Sequence, residues 1–189
     1  VFVGSNDSVV YALDAETGEE RWTYETGGSI GHSSPAVVDG TIFVGSADGS
    51  VYALNDETGD VVWTAETGGS VEYSSPTVVD GTVYIGSEDN SVYALAAATG
   101  DEVWTYETGD SVTTSPAVAN ETVFVGSNDD TMYALDAATG EVNWTAAFDH
   151  SVRSPTVADG TVFFGSLGSG TGPVYALDAA TGDQHWMFE

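Results

Sequence analysis

The chain contains no cysteine and no lysine, and Arg21 and Arg153 are its only arginines. Without cysteine it has no disulfide bonds, no thiolate nucleophiles and no cysteine metal sites. Its 30 aspartates and glutamates leave a formal net charge of -28, which repels nucleic-acid phosphates and anionic lipid headgroups. We therefore expect neither a nucleic-acid partner nor direct insertion into a membrane.

Two patterns of apolar residues are also missing. No apolar run approaches the length of a membrane span, and no stretch repeats apolar residues at helical spacing over three turns. We therefore expect almost no helix, in a chain long enough to form one domain with a core.

What the chain does contain is 41% hydrophobic residues, including five tryptophans and nine tyrosines. Disordered acidic chains are poor in aromatic and β-branched residues, so this composition indicates a folded protein. Self-repulsion of this size destabilises a compact chain in dilute buffer, and halophile proteins use this effect. We expect an acidic surface and an origin in a halophilic archaeon.

One phrase returns five times along the chain. It begins as "ALDAETGEERW" at residues 12–22, and its tryptophans stand at positions 22, 63, 104, 144 and 186. The prolines at 35, 76, 116 and 155 follow the same period of about 40 residues. Such a period indicates a repeat architecture.

Each repeat contains four short strand patterns. In the second repeat these are "SPAVVDG", "TIFVGS", "SVYAL" and "VVWTAE", separated by turn residues such as Asp39-Gly40. Four antiparallel strands per 40 residues are typical of a β-propeller blade. The fold prediction is therefore an all-β propeller of about five four-stranded blades.

The spacing Ala-x-Asp-x-x-Thr-Gly-x-x-x-Trp resembles the tryptophan-docking motif of pyrroloquinoline-quinone-type (PQQ-like) propeller repeats. The Asp position varies, with Asn55 and Ala96 in two copies. We interpret the tryptophans as inter-blade contacts, with the small alanine leaving room for an indole. The predicted docking residues are Ala12, Trp22, Ala53, Trp63, Ala94, Trp104, Ala134, Trp144, Ala176 and Trp186.

The repeat divides the chain into blades at residues 1–32, 33–73, 74–113, 114–153 and 154–189. The first blade lacks its innermost strand, the "SPxVVDG" pattern. Because the resemblance usually implies eight blades, we expect part of a larger seven- or eight-bladed ring. The alternative is a closed five-bladed ring with one thin blade.

Residues that depart from the repeat are candidates for ligand binding. Counting back from each proline places His32, Tyr73, Thr113 and Val152 together, and likewise Ser33, Ser74, Thr114 and Arg153. His32, Tyr73 and Arg153 are the chemically varied members near the channel mouth. Arg153 could bind a carboxylate ligand bidentately, although an ion pair with Asp149 or with a neighbouring loop is the more ordinary interpretation.

Two types of loop on the same face are also candidate binding sites. Asp7, Asp48, Asp89 and Asp129 stand one per blade, which favours side chains that cap their own turns over a Ca²⁺ site. The fifth blade instead carries a glycine-rich loop with Gly168 and Gly170. This loop lacks the helix and lysine of a phosphate site, so it is a candidate partner contact.

These features favour a non-catalytic scaffold that binds protein or peptide partners, with no catalytic residues, no metal and no cofactor. PQQ with Ca²⁺ is disfavoured because the cysteine pair and acid set of the quinone-dependent dehydrogenases are missing. The alternatives are a ligand-binding sensor domain or a remnant of such a dehydrogenase. The sequons at Asn6, Asn120 and Asn143 favour an extracytoplasmic or cell-surface location. A homo-oligomer or further repeats would complete the ring.

Overall fold

A computed structural model describes residues 1–167 and 172–189 of the chain. All regular secondary structure in these two ranges is β-strand, which confirms the predicted all-β class. Throughout the described ranges, no helix has the length and apolar character to cross a membrane.

Twenty strands form five antiparallel sheets in chain order. The first sheet contains β1 (Phe2–Gly4), β2 (Val9–Leu13) and β3 (Glu20–Glu25). The second contains β4 (Ala36–Val38), β5 (Thr41–Gly45), β6 (Ser50–Asn55) and β7 (Val61–Glu66). The third contains β8 (Thr77–Val79), β9 (Thr82–Gly86), β10 (Ser91–Ala96) and β11 (Glu102–Glu107).

The last two sheets follow the same order. The fourth contains β12 (Ala117–Ala119), β13 (Thr122–Gly126), β14 (Thr131–Asp136) and β15 (Val142–Ala147). The fifth contains β16 (Ser151–Val152), β17 (Thr156–Ala158), β18 (Thr161–Leu167), β19 (Val174–Asp178) and β20 (Gln184–Phe188). The first sheet has only three strands, so its predicted lack of an innermost strand is confirmed.

Each sheet is a meander, and the residues at its turns suit the conformations that the turns adopt. In the second sheet the two-residue turn between β4 and β5 has φ of 49° at Asp39 and 77° at Gly40, the conformation that Asp-Gly favours in a tight hairpin. A register shift after Ala53 bulges β6 where it pairs with β7, and the other four sheets bulge at the equivalent alanine.

The core lies between neighbouring sheets. Four clusters of buried apolar residues each combine side chains from two consecutive sheets, such as Tyr84 and Val92 with Val123 and Leu135. The other three clusters join the first sheet to the second, the second to the third and the fourth to the fifth. We call each of these interfaces a seam.

The fifth sheet departs from the repeat at its entry. The segment before its innermost strand becomes β16, which pairs with the end of β18 through Ser151 and Val152. The sequence pattern did not indicate this extra strand.

Candidate functional site

The connections that lead from one sheet into the next lie at one end of the seams. Each carries a buried aliphatic residue that packs against a glycine in the sheet before the connection. The four pairs are Ile30 on Gly4, Val71 on Gly45, Val112 on Gly86 and Val152 on Gly126. A β-carbon at any of these glycines would overlap the aliphatic residue. The four contacts define the true structural alignment of the connections.

This alignment corrects the one obtained by counting back from the prolines. Val152 is fully buried and equivalent to Ile30, so it is not a counterpart of the exposed His32. From the aliphatic residue to the proline the chain advances five residues in the first two connections, then four, then three in the last. Arg153 therefore follows directly after the buried residue, and it keeps the place of Ser33, because its backbone contacts Gly165 as Ser33 contacts Gly45.

Serines in these connections join neighbouring sheets. The backbone N–H of Ser34 donates to Oγ of Ser75, that of Ser75 to Ser115, and that of Ser115 to Ser154, each at 2.9 Å. Each of these serines precedes a proline, and the innermost strands that follow contact one another across the seams. The Ser-Pro pattern was visible in the sequence, but its role across sheets was not predicted.

The structure brings two of the predicted ligand residues together. The rings of His32 and Tyr73 stack with centroids 5.0 Å apart and planes 16° from parallel. Both side chains are exposed, Tyr73 to 42%. They come from consecutive connections, so the pair forms one aromatic surface that joins the two connections.

Arg153 is exposed, and no carboxylate of the described ranges lies within 4.0 Å of its guanidinium. The expected ion pair with Asp149 is therefore wrong. The shortened connection explains this, because its backbone is drawn into sheet pairing: the N–H of Arg153 donates to the carbonyl of Gly165 at 2.9 Å. Gly168 and Gly170 lie outside the described residues.

The four loop aspartates use their carboxylates within the fold. One oxygen of Asp89 accepts the N–H of Ser91 at 2.9 Å, and the other accepts the hydroxyl of Tyr93 at 2.6 Å and the N–H of Gly68 at 2.6 Å. The same turn and tyrosine contacts recur at Asp7, Asp48 and Asp129. The tyrosine four residues after each aspartate was a visible signal that the sequence reasoning missed.

These contacts change the protonation chemistry of the loops. Burial and the hydrogen bond to the carboxylate of Asp89 raise the pKa of Tyr93 to about 12, and burial with Asp129 does the same for Tyr133. The hydroxyl of Tyr11 and that of Ser5 lower the pKa of Asp7. The carboxylates therefore act as charged anchors for the turns.

The donor set does not fit a Ca²⁺ site of the quinone-enzyme kind. Such a site needs several oxygen ligands that converge on one point. In the described part of the chain, no three histidine or carboxylate side chains converge in this way, and the loop aspartates are bound within their own turns.

At each seam the outer-strand tryptophan contacts the turn of the next sheet. Nε1 of Trp22 donates to the carbonyl of Asp56 at 3.1 Å, and a β-carbon at Gly59 would lie 2.7 Å from Cε3 of the indole. The same pair of contacts recurs for Trp63, Trp104 and Trp144 with Gly100, Gly140 and Gly182. The alanine of the motif is fully buried and pairs with the tryptophan within its own sheet, as Ala12 does with Trp22.

In the part of the chain that the structure describes, this contact between tryptophan and glycine is missing at the two ends of the row of sheets, at Gly18 of the first sheet and Trp186 of the fifth. The Trp186 side chain is 45% exposed, and its Nε1 has no acceptor among the described residues. No described atom lies within 4 Å of the position that a β-carbon on Gly18 would take.

Comparison with solved structures identifies the architecture as a propeller. BamB from Moraxella catarrhalis matches with a TM-score of 0.83 and 26% identity over 99% of this chain and 57% of that one. The computationally designed Ika8 protein matches with a TM-score of 0.84 and 17% identity over 99% of this chain and 57% of that one. The quinohemoprotein alcohol dehydrogenase ADHIIG from Pseudomonas putida HK5 matches with a TM-score of 0.82 and 22% identity over 99% of this chain and 40% of that one.

The likenesses to Ika8 and to the dehydrogenase, both below 25% identity, concern the fold alone. The chain spans little more than half the length of the solved BamB structure. No curated protein sequence matches it. A protein-family model described as outer membrane protein assembly factor BamB matches residues 6–116 and 89–189.

Proposed function

Because the chain belongs to the family described as outer membrane protein assembly factor BamB, we propose that it is a non-catalytic scaffold that binds protein or peptide partners. The partner surface consists of the connections that lead into the innermost strands. His32, Tyr73 and Arg153 are its central residues.

The observation that carries this proposal is the exposed stack of His32 and Tyr73. Tyrosine and arginine are enriched among the residues that dominate binding energy at protein interfaces. The stack is held in place by two buried aliphatic residues, Ile30 and Val71, that anchor the connections beneath it. Such a rigid aromatic surface loses little conformational entropy when a partner binds.

Arg153 adds a positive charge to the surface formed by the connections. It is one of two arginines in a chain of net charge -28, and it has no carboxylate partner in the described ranges. A carboxylate of a bound peptide would complete its bidentate hydrogen bonding. We therefore expect the partner segment to present an acidic group as well as an aromatic or aliphatic residue.

The scaffold proposal includes no PQQ and no Ca²⁺. A tryptophan-fluorescence titration with PQQ and Ca²⁺, with Ca²⁺ alone as the control, tests this part. We expect no saturable quenching. Saturable quenching at micromolar quinone would instead favour the dehydrogenase-remnant alternative and overturn the proposal.

We also propose that further sheets of the same kind lie against the free surfaces of Gly18 and Trp186, supplied by a second copy or by additional repeats of a seven- or eight-bladed ring. Each surface is one half of the contact seen at the four internal seams. Sedimentation velocity tests the second copy. Concentration-dependent association of the chain that Trp186→Ala abolishes would support it, and a monomer at all concentrations would exclude it.

For the location we propose an extracytoplasmic or cell-surface site, in a high-salt organism. Membership of the family described as outer membrane protein assembly factor BamB supports the first part. The sequon residues Asn6, Asn120 and Asn143 are all exposed, so a glycosylating enzyme would reach them. Mass spectrometry of the protein isolated from its native cells tests this, and unmodified asparagines with a cytoplasmic fractionation would contradict it.

Peptide selection tests the partner surface. A random peptide library is selected on the immobilised protein, and enriched peptides are then titrated against His32→Ala, Tyr73→Ala and Arg153→Ala. We expect each substitution to weaken binding at least tenfold, while the thermal midpoint stays within about 2 °C because the side chains are exposed.

Val62→Ala is the control, since it removes an exposed apolar side chain at the start of β7, at the end of the strand away from these connections. Peptides that lose affinity for this variant and keep it for the other three would place binding elsewhere and overturn the assigned surface.

A further inference from the structure

Clefts open at three seams on the end opposite to the connections, between the turns of neighbouring sheets. At the second and fourth seams they have volumes of about 310 Å³ and 270 Å³. The equivalent cleft at the third seam has a volume of about 860 Å³, which falls in the range of small-molecule sites. The repeat alone would predict equal clefts, so residues that depart from it must explain the difference.

Two departures from the repeat line the third-seam cleft. Tyr84 stands where the other sheets have phenylalanine against the outer-strand tryptophan. Glu121 stands where the other turns have Gly40, Gly81 and Gly160, and it adopts their positive φ, at 59°. A side chain forced into this left-handed conformation is unfavourable by roughly 1–2 kcal/mol.

The lining of the third-seam cleft combines apolar walls with charges of one sign only, all negative. Val79, Val103 and Val118 give apolar walls, and the buried Tyr84 hydroxyl, which donates to the carbonyl of Ala137 at 3.0 Å, keeps its oxygen available as an acceptor. Three carboxylates line the cleft, from Asp80, Glu121 and Asp136, and none of its lining residues is a cation. The smaller clefts have one carboxylate each, Asp39 and Asp178.

One of these carboxylates is fixed within its own turn. A single oxygen of Asp136 accepts the N–H groups of Ala138 and Thr139 and the hydroxyl of Thr139. These hydrogen bonds, led by the Thr139 N–H, lower the pKa of Asp136. A charged carboxylate is therefore held at the edge of the cleft without the cost of ordering a flexible side chain.

We propose that the third-seam cleft binds an organic cation with an apolar body, in which an ammonium group pairs with Glu121 in the negative field of Asp80 and Asp136 and the apolar part packs against the three valines and Tyr84. This site lies on the opposite face from the partner surface proposed above and does not depend on it. The same chemistry is available from a free amine or from a lysine side chain of a bound peptide.

Calorimetric titration with phenylethylammonium tests the proposal, at the KCl concentration in which the chain is folded. We expect saturable binding with a dissociation constant of roughly 1 mM or tighter, and none with the neutral 2-phenylethanol or the anionic 3-phenylpropionate. N-acetyl-lysine methylamide and a lysine-containing tripeptide form the second arm. Tighter binding in this arm would assign the cation to a peptide partner, and tighter binding of the amine to a small molecule.

Two substitutions restore the repeat consensus and so should not impair folding. Glu121→Gly removes one carboxylate and should weaken phenylethylammonium binding roughly threefold to fivefold. Tyr84→Phe removes the hydroxyl and should weaken it by a smaller factor. Asp159→Asn removes one charge at the equivalent turn of the fifth sheet, and it should leave the affinity within about twofold.

Equal losses for Glu121→Gly and Asp159→Asn would show that the amine responds only to the net charge of the molecule, which would overturn the site. Equal binding of the amine and the neutral alcohol would overturn it as well. Both results are independent of peptide binding at His32, Tyr73 and Arg153.

Discussion

The aspartate–tyrosine pairs of the loops make single hydroxyl groups responsible for part of the stability. Tyr93 and Tyr133 have a pKa of about 12 in the folded chain, compared with an ordinary value of 10.0. A raised folded-state pKa contributes stability that is fully present below pH 10 and is lost as the pH rises toward about 12. We expect the urea midpoint to fall steeply in this interval, together with delayed tyrosinate absorbance.

The double variant Tyr93→Phe/Tyr133→Phe provides the comparison. It should be less stable than the wild type at neutral pH, and the difference between the two should shrink as the pH rises above 10. A constant difference across this interval would mean that the phenol protons do not contribute as described.

The turn at Glu121 gives a second prediction for a single residue. Glu121→Gly should raise the free energy of unfolding by about 0.5 to 1 kcal/mol, because the relief of the left-handed conformation exceeds the extra entropy of glycine in the unfolded chain. Glu121→Gln keeps the β-carbon and removes the charge, so it should give a smaller gain. Urea denaturation followed by circular dichroism measures both, and a loss of stability for the glycine variant would contradict the reasoning.

Single residues were also where sequence reasoning reached its limit. The sequence placed His32 and Tyr73 at equivalent positions, because each stands three residues before a proline in connections of the same length. The structure shows that their rings stack. Val152 was misaligned with His32 because the last connection is two residues shorter. The packing of Val152 on Gly126 reveals the register, and the serine that precedes the buried aliphatic residue in every connection was a signal that the sequence reasoning missed.

The elements of the fold were far more predictable than their contacts. Alternating β-branched residues and Asp-Gly turns indicated the four strands of each sheet, and the structure places strands β4 to β7 on those patterns. The short strand β16 was missed because a two-residue pairing leaves no periodicity to detect. The glycines of the repeated phrase adopt positive φ, which suits a turn, but their contact with the preceding sheet's indole depends on a partner 37 residues away in the chain, as for Trp22 and Gly59.

The seams supply the prediction that belongs to the scale of elements. Trp104 is 7% exposed and contacts Gly140 and the carbonyl of Ala137. Trp104→Ala should therefore lower the free energy of unfolding by about 3 to 5 kcal/mol, through lost burial and a cavity. Trp104→Phe, a milder change, should cost less than half of this and keeps the measurement informative if the alanine variant does not fold.

Trp186→Ala is the internal control for the seam prediction. At protein concentrations too low for association, the same side chain at the same repeat position has no neighbouring sheet, so its removal should lower the free energy of unfolding by less than about 1 kcal/mol. Circular dichroism in urea measures the series without relying on the fluorescence of the residue that is removed. Equal losses of stability at positions 104 and 186 would contradict the view that the indole stabilises the fold through its contact with the next sheet and not within its own strand.

For the whole molecule, charge decides the conditions in which the fold persists. A net charge of -28 repels itself over a Debye length of about 8 Å at physiological ionic strength, and molar salt shortens this length to about 3 Å. The thermal midpoint should therefore rise with KCl up to molar concentrations. Because no lysine is present to form compensating ion pairs, and the one ion-pair contact among the described residues involves His185 and Asp178, the gain should come from screening and not from specific bridges.

Two comparisons separate screening from other effects of salt. Sucrose raises stability through exclusion from the surface without screening charge, so it should not replace KCl. Replacing an exposed carboxylate that lines none of the proposed sites, as in Glu57→Gln, should raise the midpoint in dilute buffer and reduce the slope against KCl concentration. If stability were instead highest in dilute buffer, repulsion would not limit this fold, and the high-salt origin proposed for the chain would lose its physical basis.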